Sequence, residues 1–440
     1  MRTLLDRSLT GLARLALRGF FRRLEIVGQD HLPHDQPTLL VANHFNALLD
    51  AVLLMRAIHG LPRFVAKAAL WRPPWARPFL WLAGMVPVER RQDGGDPSHN
   101  QQMFASCSEH LVNGTPVALF PEGGLAPTPA LRPVRTGAAR IALAARRAGA
   151  QGLAIVPVGL LYEDKVALRS RALVRIGEPI DLDEQLRRAG CEHADPSDQA
   201  AVRVVTDEIE GRLRTLAPAY RDEREAAALG LAADIVLQPR DQLPPGEVPL
   251  AQREELARQL ADAPIDAKER LLDHLARYQL GLSLVGLRDA YLVAPYRVRR
   301  LAGLLVAAIS KLALVAPFAA VGAIVNALPY WGVHWAGRFV HEPALRASAR
   351  LLAGVALFPT TWLVVAWLAP WDTWWARAIV VAAAPALGLI AVRALEQIVE
   401  VRRTWRGWIS LIERSDTLEQ LRTERQHLVD LVGATAAPSR

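Results

Sequence analysis

The chain has 440 residues, of which 51% are hydrophobic, and its formal net charge at pH 7 is +8. This length allows two or three domains, and the apolar content exceeds that of an average soluble enzyme, which indicates a membrane protein. The positive charge comes mainly from arginine and suits anionic lipid headgroups or phosphates, whereas the lack of a nucleic-acid-binding motif argues against a nucleic-acid partner. Cys107 and Cys191 are too few and too far apart for a metal site or a disulfide framework.

Residues 1–24 predict an amphipathic helix that lies at the membrane interface. Its apolar side chains share one helical stripe, and arginines occupy other positions. A secretory signal fits less well, because the repeated arginines interrupt the apolar core that such a signal needs. A helix that packs on the protein core is the alternative interpretation. The apolar stripe consists of Leu4, Leu5, Leu9, Leu12, Leu15, Ala16 and Phe20.

The first candidate functional group lies in residues 37–50. Leu39 to Ala42 form a short apolar run, which predicts a buried strand of a parallel sheet. His44 follows this strand, at the edge where open α/β sheets bind ligands. It is therefore a candidate general base, and Asp50 is the group that would hold its tautomer. A satisfied surface histidine beside an ordinary capped helix is the alternative.

Three further stretches have the form of a strand that ends in a polar or glycine-rich turn. In chain order they are residues 84–91 (Gly-Met-Val-Pro-Val-Glu-Arg-Arg), 120–124 (Phe-Pro-Glu-Gly-Gly) and 155–159 (Ile-Val-Pro-Val-Gly). Together with the stretch from Asn43 to Asp50, they resemble in content and order the four motifs of the glycerophosphate acyltransferase family. The resemblance covers about residues 25–185. It implies an α/β acyltransferase domain with a central, mostly parallel sheet flanked by helices.

The resemblance also assigns roles to residues within these motifs. His44 and Asp50 are the expected catalytic pair. Arginine forks, a carboxylate and glycine amides are expected to bind the acceptor and its phosphate. These acceptor-binding residues are Arg90, Arg91, Glu122, Gly123, Gly124 and Arg135. Val156 and Pro157 are expected to shape the acyl pocket.

This sequence departs from the family pattern after the third motif. The family commonly continues with threonine or serine and then arginine, whereas Leu125, Ala126 and Pro127 stand here. Arg132 and Arg135 are the expected substitutes for phosphate binding.

A second departure concerns the spacing of the catalytic pair. The family usually places four residues between its histidine and aspartate, and five stand between His44 and Asp50. Six positions on a continuous helix turn about 600°, which would point the two side chains apart. The pair therefore requires His44 to lie in a loop before the helix, which Asn43 or Asn46 would cap near Ala47.

The segment after this helix has a different composition. Residues 63–67 predict a short strand, and residues 70–81 mix tryptophan and arginine around prolines. Such a mixture is typical of the headgroup zone of a membrane, so this segment is predicted to enter the interface beside the site. A packed loop is the alternative.

Residues 25–190 are thus the predicted catalytic domain, and residues 191–296 are a predicted helical insert. Charged and apolar residues alternate at helical spacing in the insert, with proline breaks at Pro239 and Pro244. Residues 168–180 and 271–292 also resemble the fungal-type glycerol-3-phosphate/dihydroxyacetone-phosphate acyltransferases.

Residues 297–395 form the predicted membrane region. Residues 351–369 contain nineteen consecutive uncharged positions and residues 378–392 contain fifteen, which predicts two transmembrane helices. The run 301–328 contains a lysine and a proline and is predicted to be re-entrant, because arginines flank the runs on both sides. Residues 396–440 predict a C-terminal amphipathic helix. Its Leu418, Leu421, Leu428 and Leu431 have the spacing of a short coiled-coil seam and suggest self-association.

The sequence therefore predicts a membrane O-acyltransferase of phosphatidic acid and phospholipid synthesis. A fatty acyl group would pass from acyl-CoA or acyl-carrier protein to a hydroxyl of glycerol 3-phosphate or dihydroxyacetone phosphate, with 1-acylglycerol 3-phosphate as the alternative acceptor. No cofactor and no metal are expected, and membrane lipids are the expected surroundings. The predicted location is the inner (cytoplasmic) membrane, with several membrane passes and the catalytic domain facing the cytoplasm.

Two hypotheses of another class remain open at this stage. One is a non-catalytic membrane scaffold or lipid transporter that has kept the domain. The other is a serine-type hydrolase of acyl thioesters. No Gly-x-Ser-x-Gly sequence occurs in the chain, so an acyl-enzyme serine is not expected.

Overall fold

The computed structural model describes most of the chain and divides it into two compact units. The described residues are 2–58, 60–74, 77–90, 93–96, 100–126, 128–239, 246–287, 289–293, 298–370, 373–413 and 415–436. Unit 1 comprises Met1–Asp222 together with Glu342–Ser348, and unit 2 comprises Glu223–His341 and Ala349–Arg440.

Unit 1 is an α/β unit, as the sequence predicts. Its strands are β1 (Arg23–Val27), β2 (Thr38–Ala42), β3 (Arg63–Lys67), β4 (Val86–Val88), β5 (Val117–Leu119), β6 (Ala154–Tyr162), β7 (Arg171–Ile176) and β8 (Ile180–Asp181). Its helices are α1 (Arg2–Phe20), α2 (Ala47–Ala57), α3 (Arg77–Leu82), α4 (Gln101–Val112), α5 (Gly137–Arg147), α6 (Leu182–Arg188) and α7 (Gln199–Leu216). The strands predicted within the four motifs are confirmed.

The described strands form one eight-stranded sheet with the order β1-β7-β6-β2-β5-β3-β4, and β8 pairs with β6. Strands β2, β3, β4, β5 and β6 are all parallel to one another. Strands β7 and β8 are antiparallel to β6. The mostly parallel sheet is thus confirmed. Because the carboxyl ends of parallel strands meet at one edge, the loops after β2, β4 and β5 and the end of β6 all lie at that edge.

The central strands have continuous apolar sequences because both faces of the sheet are buried. All five residues of β2 are buried, and helices cover the sheet on either side. Leu39 and Val41 point into the same core as Val117 and Ile155 of the neighbouring strands. This rigid layer fixes the positions from which the functional loops leave.

The structure corrects the predicted boundary between the catalytic domain and the helical insert. Helix α7 lies beyond residue 190, yet it belongs to unit 1. Its Val205, Ile209 and Leu213 are almost completely buried in the core that α5 and the sheet share. The helical periodicity predicts α7 correctly but gives no information about which core its apolar face covers.

The N-terminal helix α1 has one face packed on the protein. Leu17 and Phe20 are buried, and α1 packs against α2 within unit 1. The alternative interpretation of a core-packing helix therefore applies to this face, while Leu12 and Leu15 remain exposed. Contact of those exposed residues with a membrane interface stays a prediction.

Unit 2 is helical throughout its described part, apart from short connections. Its helices are α8 (Glu223–Leu237), α9 (Leu250–Ala261), α10 (Ile265–Val285), α11 (Val298–Ala336), α12 (Pro343–Leu368, with residues up to Ser348 in unit 1), α13 (Trp374–Glu413) and α14 (Ser415–Ala436). Helices α8, α9, α10 and α14 pack on one another. Arg425 of α14 is buried among them, where it donates to Asp289.

Three helices in the described part of the chain are long and apolar enough to cross a membrane, by length and composition. They cover Ala302–Ala336, Leu345–Leu368 and Trp374–Arg402. Large apolar side chains such as Leu314 and Ile324 are exposed on them, as expected of surfaces that face lipid. The protein is therefore membrane-associated.

The run predicted to be re-entrant is a continuous helix in the structure. Helix α11 passes through Lys311 and Pro317 without a break, because residues on either side continue the backbone ladder. It packs on α13, where Gly322 leaves no room for a Cβ beside the Leu387 carbonyl. Asn326 Nδ2 donates to Gly322 O (2.8 Å). In the predicted hairpin, α12 begins before residue 351 and ends at Leu368, and α13 extends beyond 378–392 at both ends.

The leucine seam predicted for self-association is occupied within the chain. Leu418, Leu421 and Leu428 of α14 are almost completely buried in unit 2, where α14 packs on α8, α9 and α10. A coiled-coil pattern and an intramolecular helix face have the same spacing, so the sequence alone did not separate them.

Candidate active site

The loop after β2 is anchored to the neighbouring strand by Asn43. The Asn43 carboxamide accepts from Leu160 N (2.6 Å) and donates to Leu160 O (2.9 Å), and it is completely buried. The side chain thereby continues the β2–β6 ladder beyond the last residue of β2. Asn43 was a candidate helix cap, and this role is wrong because its two polar atoms are both engaged with β6.

His44 and Asp50 form a direct pair. His44 Nδ1 lies 2.8 Å from Asp50 Oδ2, and the carboxylate is completely buried. A carboxylate only accepts hydrogen bonds, so Nδ1 carries the proton and Nε2 is the nitrogen left to act as a base. The same Oδ2 accepts from Phe45 N (2.7 Å) and Asn46 N (2.8 Å).

The one-residue-longer spacing is absorbed before the helix. Helix α2 begins at Ala47, so His44 lies in the preceding loop, as the pair requires. Ala47 has φ of +39°, a backbone conformation that costs alanine energy. Asn46 occupies the N-cap position, but its side chain donates to Lys165 O (3.0 Å) and does not cap the helix.

Ser348 supplies part of the missing cap. Its Oγ accepts from Leu48 N (3.0 Å) and donates to Asn46 O (2.9 Å), and the residue is buried. Ser348 belongs to the short segment of unit 1 that lies far along the chain. It therefore satisfies two backbone groups of the loop that carries the pair.

Replacing Ser348 by alanine is expected to lower the free energy of unfolding by about 1 kcal/mol, because a backbone donor and a backbone acceptor lose their partner. A thermal melt of the purified protein in detergent measures this loss. Ser283→Ala is the matched control, since the Ser283 hydroxyl is exposed and bonds only to Leu280 O among its recorded partners. Equal melting temperatures for the two variants would contradict the capping role.

The turn after β5 holds the other side of His44. The imidazole ring of His44 stacks on the ring of Phe120, with a centroid distance of 3.9 Å and an angle of 8° between the ring planes. His44 N donates to Glu122 Oε1 (2.7 Å), and Ala126 N donates to His44 O (2.8 Å). The first and third motifs thus enclose one histidine, whose side chain is 17% exposed.

Glu122 links two loops through its carboxylate. It accepts from His44 N and, at 3.0 Å, from Arg132 N. Burial raises the pKa of Glu122 from 4.5 to about 7, although the two backbone bonds and the neighbouring charges of His44 and Arg132 lower it. The Glu122 side chain therefore lies inside the site, and its carboxylate oxygens bind the backbone N–H groups of His44 and Arg132.

The predicted phosphate-binding arginines converge on Gly123. Arg90 donates from Nη1 to Gly123 O (2.6 Å) and from Nε to Asp93 (2.6 Å). Gly123 has φ of +68°, and a Cβ there would lie 2.9 Å from Cδ of Arg135, so both the turn and the close approach of Arg135 require glycine. The guanidinium groups of Arg90 and Arg135 therefore flank one glycine turn.

The remaining predicted site residues are placed differently. Gly124 completes the turn and is half-buried, whereas Arg91 lies outside the described residues. Val156 and Pro157 are buried in β6, where they pair with Leu40 and Val41. No contact with His44 is recorded for them within the described part of the chain. Their role in an acyl pocket stays a prediction.

Two site residues were not predicted from the sequence. Tyr162, the last residue of β6, donates its hydroxyl to Asp50 Oδ1, and Ser348 bonds to the loop. Burial and the Asp50 charge raise the pKa of Tyr162 well above 10. A polar aromatic residue at the end of an apolar strand is a signal for Tyr162, but no local pattern points to Ser348.

Residues 23–161 match the family model described as Acyltransferase. The chain is 41% identical over 140 residues to glycerol-3-phosphate O-acyltransferase 2 of Saccharomyces cerevisiae, which covers 29% of this chain and 19% of that protein. It is 28% identical over 150 residues to human 1-acyl-sn-glycerol-3-phosphate acyltransferase alpha, which covers 34% of this chain and 50% of that protein.

A solved structure is also similar. It is that of the 1-acyl-sn-glycerophosphate acyltransferase PlsC from Thermotoga maritima, with 18% identity, a TM-score of 0.35 and coverage of 47% of this chain and 78% of that one. The present chain spans half or less of the length of the two curated relatives named above. The family match includes the loops of His44, Arg90 and Glu122. Within residues 23–161 the chain is therefore similar to the Acyltransferase family.

Proposed function

We propose that the protein is a membrane O-acyltransferase that transfers a fatty acyl group from acyl-CoA or acyl-carrier protein to a hydroxyl of glycerol 3-phosphate or dihydroxyacetone phosphate. The observation that carries this proposal is the His44–Asp50 pair, with Nδ1 held by a buried carboxylate at 2.8 Å. Such a pair is suited to remove a proton from a hydroxyl through Nε2. The cluster of arginines beside it suits a phosphorylated acceptor.

The proposed reaction is a direct transfer. His44 Nε2 takes the proton of the acceptor hydroxyl, and the oxygen attacks the thioester carbonyl carbon. The C–S bond then breaks, and the thiolate leaves with the proton that His44 held. Asp50 stabilises the imidazolium while it exists, and backbone amides of the surrounding loops are expected to stabilise the oxyanion. No cofactor and no metal are needed for these steps.

The acceptor is proposed from the relatives. Glycerol 3-phosphate is favoured because the yeast glycerol-3-phosphate O-acyltransferase 2 is 41% identical over its matched region, against 28% for the human 1-acylglycerol-3-phosphate enzyme. Acylation of 1-acylglycerol 3-phosphate is the second candidate. We propose that the catalytic unit lies on the cytoplasmic face of the inner membrane, because arginines flank the apolar runs of the sequence. Self-association would need a surface other than the buried leucines of α14.

An assay with both acceptors tests the proposal. The purified protein in phospholipid vesicles receives a labelled acyl thioester together with glycerol 3-phosphate or 1-acylglycerol 3-phosphate. Formation of labelled lysophosphatidic acid from glycerol 3-phosphate is the expected result. Phosphatidic acid formed only from the acylated acceptor would establish the second candidate. Release of free fatty acid alone, or no product, would overturn the proposal in favour of a hydrolase or a scaffold.

Replacing Arg90 by lysine is expected to raise the KM for the phosphorylated acceptor about tenfold while changing kcat less. Arg90 bonds Asp93 and the Gly123 carbonyl through different nitrogens of a planar group, whereas a lysine has all its donors on one nitrogen and lacks the fork that matches phosphate oxygens. Initial rates over a range of acceptor concentrations measure both constants.

Arg188→Lys is the matched control for this substitution. Arg188 also bonds a carboxylate, that of Glu184, but it is exposed on α6. Its KM values are expected to equal those of the wild type. An unchanged acceptor KM in Arg90→Lys would remove Arg90 from the binding site.

A further inference from the structure

Tyr162 reaches the catalytic pair from outside the matched motifs. The family model ends at residue 161, and Tyr162 follows it as the last residue of β6. Its hydroxyl donates to Asp50 Oδ1. Because β6 runs parallel to β2 and extends beyond its end, Tyr162 lies beside the loop that begins at Asn43.

The hydrogen bonds to Asp50 are divided unequally between its two oxygens. Oδ2 accepts three times, from His44 Nδ1, Phe45 N and Asn46 N. Oδ1 accepts from Tyr162, which is the one donor recorded for this oxygen in the described part of the chain. Asp50 is 0% exposed, so water does not replace a lost donor without a rearrangement.

The terminal torsion of a carboxylate is broad and roughly two-fold, so donors on both oxygens fix its orientation better than donors on one. The Tyr162 hydroxyl adds a bond to Oδ1 to the three bonds that Oδ2 accepts. Oδ2 then stays directed at His44 Nδ1, which keeps the proton on Nδ1 and the base on Nε2.

We propose that Tyr162 is a positioning residue that holds the Asp50 carboxylate in the orientation His44 needs. The inference rests on the proposed function, which it deepens by adding a third side chain to the pair. Tyr162 acts through Asp50 and is not assigned a contact with either substrate.

The hydroxyl is not needed to attach β6 to the loop. Asn43 makes two hydrogen bonds to Leu160 at the same place, and the Tyr162 ring lies 6.0 Å from that of Phe21. A phenylalanine at position 162 is expected to keep both the Asn43–Leu160 hydrogen bonds and the ring contact with Phe21. Tyr162→Phe therefore removes the bond to Asp50 and keeps the packing.

The test compares steady-state kinetics of the full chain before and after this substitution. Tyr162→Phe is expected to lower kcat about tenfold, while the KM values for the acyl thioester and for glycerol 3-phosphate stay within about twofold. This split is expected because the lost bond affects proton removal and not the binding of either substrate. A merely structural role would lower the amount of folded protein and leave kcat per folded molecule unchanged.

Tyr278→Phe is the matched control. Tyr278 also donates its hydroxyl to a largely buried carboxylate, that of Asp289, at 2.6 Å in unit 2. We expect a comparable fall in melting temperature in both variants but an unchanged kcat in Tyr278→Phe. An unchanged kcat in Tyr162→Phe, or equal falls of kcat in both variants, would overturn the inference and leave the proposed function standing.

A second measurement does not depend on activity. In protein with isotope-labelled histidine, the His44 Nδ1 proton gives a downfield resonance that reports the bond to Asp50. We expect this resonance to shift or broaden in Tyr162→Phe and to stay unchanged in Tyr278→Phe. An identical resonance in all three proteins would overturn the inference, even if the wild type transferred no acyl group and the proposed function failed.

Discussion

The His44→Ala variant is expected to transfer acyl groups at least two orders of magnitude more slowly than the wild type, because general-base catalysis typically contributes about 10²- to 10⁴-fold. The substitution removes Nε2, the nitrogen that the buried Asp50 leaves available as a base. Both KM values are expected to change little. The measurement is the initial rate of labelled product formation at saturating substrates.

His31→Ala is the control, because it also removes a histidine from a histidine–carboxylate pair. His31 Nε2 lies 3.1 Å from Glu178 in the same unit, and Nδ1 bonds to Ile176 O (2.9 Å). This pair lies outside the four motifs, so its loss is expected to affect stability and not kcat. A His44→Ala protein with wild-type kcat would refute the catalytic role of the pair.

Glu122→Gln is expected to reduce both stability and transfer. The carboxylate accepts from His44 N and Arg132 N, and an amide has one oxygen and one NH2 group, so one of these two backbone donors would face another donor. We expect a loss of about 1–3 kcal/mol in the free energy of unfolding. Transfer is expected to fall roughly tenfold, because the His44 loop is no longer held at its start.

The wild type and Glu122→Gln are also expected to differ in how stability depends on pH. The pKa of Glu122 is raised from 4.5 to about 7 in the folded protein, chiefly by burial. Between these two pH values the unfolded chain releases this proton and the folded protein keeps it. The free energy of unfolding therefore falls as pH rises from about 4.5 to 7, by roughly 3 kcal/mol, and glutamine removes this contribution.

Thermal melts between pH 4.5 and 8 measure this difference. The melting temperature of the wild type is expected to fall relative to that of Glu122→Gln as the pH rises to about 7, and the difference is then constant. Glu225→Gln is the control, since Glu225 is also buried but pairs with Lys268 at 2.9 Å in unit 2. A pH-independent difference between wild type and Glu122→Gln would show that Glu122 is ionised at pH 7 in the folded protein.

Much of the sheet was predictable because short-range patterns determine it. Strand β2 is buried on both faces and therefore has an uninterrupted apolar run, which the sequence displays directly. The same holds for β5 and for the first half of β6. Strand β1 was not predicted, because it alternates charged and apolar residues over only five positions and lies at the sheet edge.

The His44–Asp50 pair shows what residue spacing alone does and does not predict. A separation of six positions from His44 to Asp50 forbids the pair on one helix, so the sequence required a loop before the helix. It did not reveal how the loop turns. The structure uses Ala47 at positive φ, which is an unfavourable choice for alanine and leaves no recognisable turn signature.

The sequence by itself determined the residues that meet at the carboxyl edge of the sheet, because four strand-and-turn motifs in one order define which side chains leave that edge. It also determined that the chain carries long apolar helices. Only the tertiary structure decided that α7 belongs to unit 1, that the leucines of α14 are buried, and that Tyr162 and Ser348 hold the loop. Ser348 is 300 positions from Leu48. Contacts at such separations depend on where whole elements pack, and hydrophobic periodicity is the same whichever partner an apolar face finds.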